Sequence, residues 1–330
     1  MSLPYLKSGI ITAAALIFST VAGAQTVKST IALPSLPEGI AVNYGTNRIY
    51  VALPSFGGPN DSVAVIDGKT DSIVGTISIP PIGYVVAADP LRNKVYVGGC
   101  YQDENGNNFC KVAVINGSNN KVEQVIPITT TEGNGIQGLA VNLLTGTLFV
   151  SNASDNVINV IRNPAKPWVS TISLNGESPV GLAINPFNGR LYVALSSNLV
   201  DIIDTYKKTA LSTVTVGESN GNVAVDLVNG EALVTNTVVG PSTLGVLKYD
   251  GTVLANVAVG NTPFGVDVDP LTHLAFVTNT LDQTVSVVND KTNTVTATLP
   301  VTGYFVSANP LTQKVYVGGQ DNTVTVISEK

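Results

Sequence analysis

Few residues in this sequence have the chemistry of a catalytic or metal-binding site. The chain has one histidine, His273, which ends the segment Asp269-Pro270-Leu271-Thr272-His273. That composition is typical of a turn, so we expect His273 to be a surface turn residue. A Ser-His-Asp triad, a zinc site or a blue-copper site would depend on this one imidazole, and the Cys-x-x-Cys-His motif of haem attachment is absent from the sequence. We therefore predict no catalytic residue and disfavour zinc and haem, whereas a carboxylate-bound calcium or magnesium ion stays open.

The elements that must position any site follow an internal repeat. Seven times an Asn or Asp, here called the anchor, is followed seven residues later by the start of a short Tyr/Phe/Leu-Val strand. The pairs are Asn43 and Tyr50, Asp89 and Tyr96, Asn142 and Phe149, Asn185 and Tyr192, Asp226 and Leu233, Asp269 and Phe276, and Asn309 and Tyr316. Successive anchors lie about 40 to 53 residues apart, which is the period of four-stranded propeller blades.

Each copy of the repeat predicts four short strands. In the first copy they lie at 39–42, 48–52, 62–66 and 72–79, and the turn Asp67-Gly68-Lys69-Thr70 joins the last two. Runs rich in Val, Ile, Thr and Tyr between Gly, Pro, Asn and Asp turns indicate an all-β protein. The sequence therefore predicts a seven-bladed β-propeller of four-stranded antiparallel blades, formed by residues 25–330 as a single domain.

The two ends of the predicted domain favour closure of the ring. The seventh copy ends at residues 322–330, which form a third strand without a fourth. Residues 27–34 resemble the fourth strands at 295–300 and 253–259. We expect this N-terminal strand to complete the last blade and so to remove two exposed sheet edges.

The repeated strands also resemble a known family. The second strands of three copies are similar to the Tyr-Val-Thr-Asn motif of the YVTN β-propeller repeat proteins. They are Arg48-Ile49-Tyr50-Val51-Ala52, Thr147-Leu148-Phe149-Val150-Ser151-Asn152 and Leu274-Ala275-Phe276-Val277-Thr278-Asn279. The resemblance covers about residues 26 to 330. It implies the propeller fold but no single activity, because the family includes surface-layer proteins, periplasmic binding proteins and parts of oxidoreductases. Streptogramin lyases, which share the shape, use several histidines that this sequence lacks.

The first 24 residues are expected to be a signal peptide. Lys7 precedes the apolar run from Ile10 to Val21, and Ala22-Gly23-Ala24 is a small-x-small cleavage pattern before Gln25. We therefore expect an exported protein, periplasmic or secreted to the cell surface, without a membrane span after signal cleavage.

Composition restricts the partners. The chain has 17 basic and 23 acidic residues, and no basic cluster that would bind a phosphate backbone. We therefore expect no nucleic-acid partner, and instead a protein or small-molecule ligand bound by a monomer.

Cys100 and Cys110 flank the largest irregularity of the repeat. Cys100 is expected to end the second strand of blade two and Cys110 to begin the third, which places them side by side at the mouth of a hairpin. In an oxidising compartment this arrangement predicts a disulfide bond. The polar loop between them suits either a solvated turn or a contact surface.

The positions that differ between copies are the candidate binding residues. Five residues before each anchor the chain has Glu38, Tyr84, Gln137, Val180, Gly221, Phe264 and Tyr304. These residues should surround one mouth of the central channel, where propellers usually hold ligands. They would form either an amphipathic collar for a small molecule or peptide, or the aromatic caps of the blade cores.

Two residues before the anchor, five copies have alanine, but blades six and seven have Asp267 and Ser307. A buried carboxylate needs water, a hydrogen-bond donor or a cation, and Ser307 is a natural donor. We leave open whether Asp267 is a structural group or a ligand in the channel.

Three functions agree with these patterns. We favour an exported, non-catalytic binding protein that presents its channel mouth and loops to a ligand or a protein. The first alternative is a lyase-type or lactonase-type enzyme with a carboxylate-held divalent ion near Asp267 and Glu38. The second is an envelope or surface-layer structural protein.

Overall fold

The structure is a computed structural model that describes residues 24–55, 60–103, 105–128, 135–162, 167–174, 177–237 and 242–330. Residues 1–23 of the expected signal peptide lie outside the described residues. Twenty-eight strands and no helix occur in the described part of the chain. None of its elements is therefore a helix with the length and hydropathy that a bilayer crossing requires.

The strands follow one another in chain order. The first fourteen are β1 Thr26–Ala32, β2 Gly39–Asn43, β3 Arg48–Leu53, β4 Asp61–Asp67, β5 Ser72–Ile79, β6 Val85–Asp89, β7 Lys94–Gln102, β8 Asn108–Asn116, β9 Lys121–Ile128, β10 Ile136–Asn142, β11 Thr147–Asn152, β12 Val157–Ile161, β13 Val169–Ser173 and β14 Pro179–Asn185. The others are β15 Arg190–Leu195, β16 Leu199–Asp204, β17 Thr209–Thr215, β18 Asn220–Asp226, β19 Glu231–Asn236, β20 Thr243–Leu247, β21 Val253–Ala258, β22 Pro263–Asp269, β23 Leu274–Asn279, β24 Thr284–Asn289, β25 Thr294–Leu299, β26 Phe305–Asn309, β27 Lys314–Gly318 and β28 Thr323–Ser328.

These strands form seven four-stranded antiparallel sheets, as predicted. Six sheets contain consecutive strands, beginning with β2-β3-β4-β5, and the innermost strand of each contacts the innermost strand of the next. The seventh sheet has the order β1-β28-β27-β26, with Ile31 opposite Val324. The seven-bladed β-propeller and its closure by the N-terminal strand are therefore both confirmed.

Each innermost strand ends at an anchor, and in six blades the anchor side chain caps the following turn. The Asp89 carboxylate accepts hydrogen bonds from the backbone N–H groups of Leu91 and Arg92, both at 3.1 Å. Asn142 and Asp226 form the same pair of bonds. Asn and Asp are the residues that favour such turns, which explains their invariant position in the repeat.

The hydrophobic core lies between the blades. Tyr50 of blade one, which is fully buried, belongs to a cluster with Val95 and Val97 of blade two. Six further clusters join the other neighbouring blades, and the residue seven positions after each anchor is at most 2% exposed. The repeated pattern therefore encodes blade-to-blade packing.

The predicted disulfide bond is present. Cys100 and Cys110 lie directly opposite each other in β7 and β8, with their Cα atoms 4.1 Å apart. The two strands continue two residues beyond the cysteines, so the hairpin is longer than expected. At its end Tyr101 stacks on Phe109 with the ring centres 5.3 Å apart, and Lys111 lies over Tyr101.

Deletion of residues 25–34 is predicted to lower the melting temperature by about 10 °C or more, because it removes the buried side chains Ile31 and Leu33 and exposes the edge of β28. Differential scanning calorimetry of the mature protein measures the effect. The exposed substitution Thr30→Ser is the control and should change nothing. An unchanged melting curve for the deletion would contradict closure by β1.

Candidate functional site

A cavity of about 500 Å³ occupies one end of the central channel, where the innermost strands begin. Its walls are mostly apolar side chains and backbone of these strands, such as Leu139, Leu182 and Val266. Three aromatic residues, Tyr84, Phe264 and Phe305, and three polar residues, Glu38, Gln137 and Asn222, complete the lining. Its volume and its few polar groups are typical of a small-molecule site.

The cavity brings together most of the residues predicted to surround the channel mouth. Five of the seven line it, namely Glu38, Tyr84, Gln137, Val180 and Phe264. In blades five and seven the lining residues are instead the next ones along the chain, Asn222 and Phe305.

Blade five differs because Gly221 has no side chain, and the Asn222 side chain donates to the Phe264 carbonyl at 3.1 Å. In blade seven Tyr304 packs against its aromatic neighbours. The Tyr304 ring lies edge-on to Phe264 at 5.7 Å, and Phe305 meets Phe264 in the same way at 5.5 Å. Edge-to-face aromatic pairs stabilise one another, so this side of the mouth is a fixed aromatic wall. Tyr304 is 37% exposed and forms its outer part.

Glu38 is the acidic group of the described cavity lining, and no basic residue accompanies it there. Its side chain is half-buried, and burial raises the pKa of the Glu38 carboxyl above 4.5. The pKa of Tyr84 is raised by burial, and in addition by the nearby Asp61 and Glu38 carboxylates. The cavity therefore presents negative charge on an apolar wall.

Asp267 and Ser307 lie outside the cavity lining. Asp267 accepts hydrogen bonds from the backbone N–H of Val268 at 2.9 Å and of Ala308 in blade seven at 2.8 Å. The Ser307 hydroxyl forms a hydrogen bond with the Asp267 carboxylate, and it also accepts a hydrogen bond from the Val42 N–H in blade one. Burial raises the pKa of Asp267 to about 6, although these hydrogen bonds act to lower it. The two residues thus link blades six, seven and one, and the structure does not bring Asp267 and Glu38 together in the cavity.

At the opposite end of the innermost strands, the anchors join neighbouring blades. The Asn43 amide donates to the Asn93 side chain of blade two at 2.8 Å, and Asn309 donates to Asn47 of blade one at the same distance. Asn47 and Asn93 are the fourth residues after their own anchors, with φ near 50°. A Cβ atom at Gly117 would collide with Asn93 Oδ1, so this glycine leaves room for the amide.

The fourth position after the anchor has a positive φ in all seven blades. Its residues are Asn47, Asn93, Gly146, Gly189, Gly230, His273 and Gln313. Asn and Gly are the residues that tolerate this conformation best, and Asn can also hydrogen-bond across the junction. We call the contact between an anchor, the fourth residue of the next blade and the turn beside it a blade junction.

The expectation that His273 is a surface residue is wrong. His273 lies in the predicted turn, but it is only 9% exposed because it occupies the junction between blades five and six. Its Nδ1 atom is 2.7 Å from Asp226 Oδ2 and 3.7 Å from Asp290 Oδ1. The ligand atoms of these three buried residues all lie within 4.8 Å of one another. Burial and the adjacent Asp226 carboxylate raise the pKa of Asp290 to about 8.

The junction between blades six and seven contains two buried carboxyl groups. Asp269 is fully buried and Glu329 is 6% exposed. Thr272 donates to Glu329 Oε2 at 2.7 Å, while Asp269 Oδ2 and Glu329 Oε1 have no donor among the described residues. Burial, together with the neighbouring Asp269 carboxylate, raises the pKa of Glu329 to about 8. The pair is therefore most stable when it shares a proton.

The sequence interpretation missed these acidic junctions. The signal for them is the fourth residue after each anchor, which is Asn or Gly in five copies but His or Gln in blades six and seven. Compared with known proteins, the sequence matches no family model and no curated protein.

The substitution Glu329→Gln is predicted to stabilise the protein at pH 8 by about 1 to 3 kcal/mol, because the amide supplies the donor that Asp269 lacks. The folded-state pKa of Glu329 lies above the ordinary value of 4.5. The stability that its protonated form contributes is therefore present below about pH 4.5 and is lost as the pH rises through about 8.

Urea unfolding at pH 5 and pH 8 measures this difference. The wild type should lose more stability between these pH values than Glu329→Gln, and the exposed substitution Glu218→Gln should behave as wild type. Equal pH dependence in all three proteins would show that the carboxyl pair does not share a proton.

Proposed function

We propose that this protein is an exported, non-catalytic binding protein whose central cavity holds a small organic molecule with an apolar body and a cationic amine. The observation that supports this function is the cavity of about 500 Å³, in which Glu38 stands opposite apolar and aromatic walls without a basic residue among the described lining. Propellers commonly use this end of the channel for binding.

The shape of the cavity favours a compact ligand. Its volume suits a molecule of small-metabolite or drug size. Phe264, Phe305 and Tyr84 offer ring faces and edges to an apolar or aromatic body, and ring faces also attract cations.

The polar groups favour a donor-bearing ligand. Glu38 accepts hydrogen bonds and carries negative charge at neutral pH, while Gln137 and Asn222 provide amide groups. A carboxylate or phosphate ligand would meet the Glu38 charge with no lining Lys or Arg to offset it, and such an arrangement is costly in a half-buried site. An ammonium group on the ligand would instead form a charge-assisted hydrogen bond.

The binding role is better supported than the enzyme alternative. A carboxylate-held catalytic ion requires several carboxylates at one place, and the described cavity lining contains Glu38 alone. Asp267, which the enzyme alternative would pair with it, already accepts two backbone hydrogen bonds elsewhere.

Export of a monomer after cleavage of residues 1–24 is part of the proposal. It is supported by the N-terminal sequence and by the disulfide bond between Cys100 and Cys110, which is a feature of proteins in oxidising compartments. The repeated strand sequences support a relationship to the YVTN β-propeller proteins.

Glu38→Gln is predicted to weaken binding of an arylalkylamine about 10- to 100-fold, because a charged hydrogen bond is replaced by a neutral one. Isothermal titration calorimetry with phenethylamine measures the affinity. Phenylacetate, which has nearly the same shape and the opposite charge, should bind wild type more weakly than the amine does. Wild-type affinity for the amine should fall as the pH is lowered through the raised pKa of Glu38.

Glu218→Gln provides the matched control, since Glu218 is exposed and lies outside the cavity lining. Its affinity for phenethylamine should equal that of wild type. Equal binding of amine and carboxylate, or no effect of Glu38→Gln, would contradict the proposed ligand class.

A further inference from the structure

We infer that Asp226, His273 and Asp290 form a binding site for a divalent transition-metal ion, with Zn²⁺ and Mn²⁺ as the best candidates. The site lies at the junction of blades five and six. It lies at the opposite end of the innermost strands from the cavity. In β22, Phe264 lines the cavity and Asp269 begins the turn that contains His273, and these two residues are five positions, or about 16 Å, apart. The inference therefore does not rest on the proposed function.

The three residues carry ionisable side chains where another junction of the ring has neutral residues. At the junction of blades one and two the equivalent residues are Asn43, Asn93 and Gly117, and the backbone N–H of Gly117 donates to the Asn93 carbonyl at 2.9 Å. Asp290 donates in the same way to the His273 carbonyl at 3.1 Å. The backbone of the junction is thus satisfied by neutral residues, so the imidazole and the two carboxylates are not needed for the turn.

The geometry suits an ion. The Asp226–His273 and His273–Asp290 separations of 2.7 and 3.7 Å bracket the spacing of about 3.3 Å between ligand atoms around a tetrahedral zinc ion. Small movements of side chains would accommodate a metal, because all the ligand atoms already lie within 4.8 Å of one another.

Unpartnered buried oxygen atoms give a second, independent indication. Asp290 is 1% exposed, and its Oδ2 atom has no hydrogen-bond partner in the structure. Glu231, which lies directly opposite Asp226 in the β18–β19 pair, has a buried Oε2 atom that likewise lacks a partner. Buried carboxylate oxygens are normally bonded, and a cation held by Asp226, His273 and Asp290 would satisfy the Asp290 oxygen. Glu231 adds a further carboxyl group beside the cluster.

Neighbouring groups hold the ligands in place. Asp226 uses its other oxygen, Oδ1, to accept the backbone N–H of Val228 at 2.7 Å, so its Oδ2 atom is left to face His273. The Asn229 amide donates to Asp290 Oδ1 at 3.3 Å. Such outer contacts orient metal ligands in established sites.

The ligand set also selects the kind of ion. One imidazole with two or three carboxylates suits zinc, manganese and similar transition ions, whereas calcium and magnesium prefer oxygen ligands alone. A divalent ion would offset the negative charge that Asp226 and Asp290 place beside His273. The earlier expectation of no histidine-bound metal does not agree with this arrangement, because it assumed a surface position for His273.

The single histidine makes the site directly observable. The mature protein, labelled with ¹⁵N at histidine, carrying no polyhistidine tag and freed of metal with chelator, is titrated with ZnCl₂ and followed by NMR. We expect the one pair of imidazole nitrogen signals to change stoichiometrically, with saturation at one Zn²⁺ per chain. The melting temperature should rise by about 4 °C at a zinc concentration 100 times Kd, and Mg²⁺ and Ca²⁺ should leave both signals unchanged.

A junction-exchange variant tests the assignment. Asp226→Asn, His273→Asn and Asp290→Gly together reproduce the residues of the blade one–two junction, which this same fold already accommodates. The variant should fold and should lose the zinc-dependent rise in melting temperature. The single substitution Asp290→Asn keeps the imidazole and should weaken zinc binding at least 10-fold. Glu329→Gln, at the next junction, is the matched control and should bind zinc as wild type does.

Three results would overturn the inference. They are the absence of stoichiometric zinc binding to wild type, zinc binding that leaves the imidazole signals unchanged, and an equal rise in melting temperature in the folded junction-exchange variant. The first two come from the wild-type protein, so they hold whether or not the variant folds.

Discussion

The ring depends on contacts between neighbouring blades at the anchors, each of which ends the innermost strand of its own blade. In six blades one side-chain oxygen of the anchor accepts backbone N–H groups of the turn that follows the innermost strand. In three blades the anchor side chain also contacts the fourth residue of the neighbouring blade, as in the Asn43–Asn93 pair at 2.8 Å. Because these groups are buried, they need partners, and at these three junctions the partner lies in a different blade. Local turn chemistry is thereby coupled to the assembly of the ring.

The chemical difference between Asn and Asp explains why the junctions diverge. An Asn anchor can donate a hydrogen bond across the junction, whereas an Asp anchor needs a donor or a cation. Asp89 obtains a donor from Arg92 of its own blade, whose guanidinium also donates to the Leu143 carbonyl of blade three at 2.9 Å. A Cβ at Gly146 would lie 2.6 Å from Arg92 Nε, so the missing side chain there makes room for the arginine. Neutral and ion-paired junctions are thus two solutions to the same constraint.

Blades five to seven use neither solution in full. Asp226 and Asp269 each face a second carboxyl group, from Asp290 and Glu329, and the neighbouring blade supplies His273 in one case. Excess buried negative charge is costly unless a proton or an ion neutralises it. We therefore propose that acidity and metal availability act on stability in this part of the ring, and that the cavity at the other end of the channel binds an organic ligand.

Much of the fold could be predicted from the sequence because its signals are local and repeated. The seven-residue spacing reports a turn and a buried aromatic or leucine, as at Asn43 and Tyr50, and the unpaired last strand indicated the role of residues 27–34. The cavity was predicted in outline, since the position five residues before the anchor faces the channel in most blades. Contacts between blades were less accessible. The burial of His273 follows from its contact with Asp226, 47 residues earlier, and the replacement of Tyr304 by Phe305 in the lining accompanies the packing of both rings against Phe264.

We propose that positions departing from the repeat carry the function, with ligand recognition at the Glu38 end of the channel. Native mass spectrometry of the mature protein, purified without chelator from its own host's exported fraction, tests it most directly. The account predicts one small organic molecule per chain, released as a cation on activation and absent from Glu38→Gln prepared in the same way. A wild-type chain that carries no organic molecule, or one whose bound molecule is retained by Glu38→Gln, would contradict it.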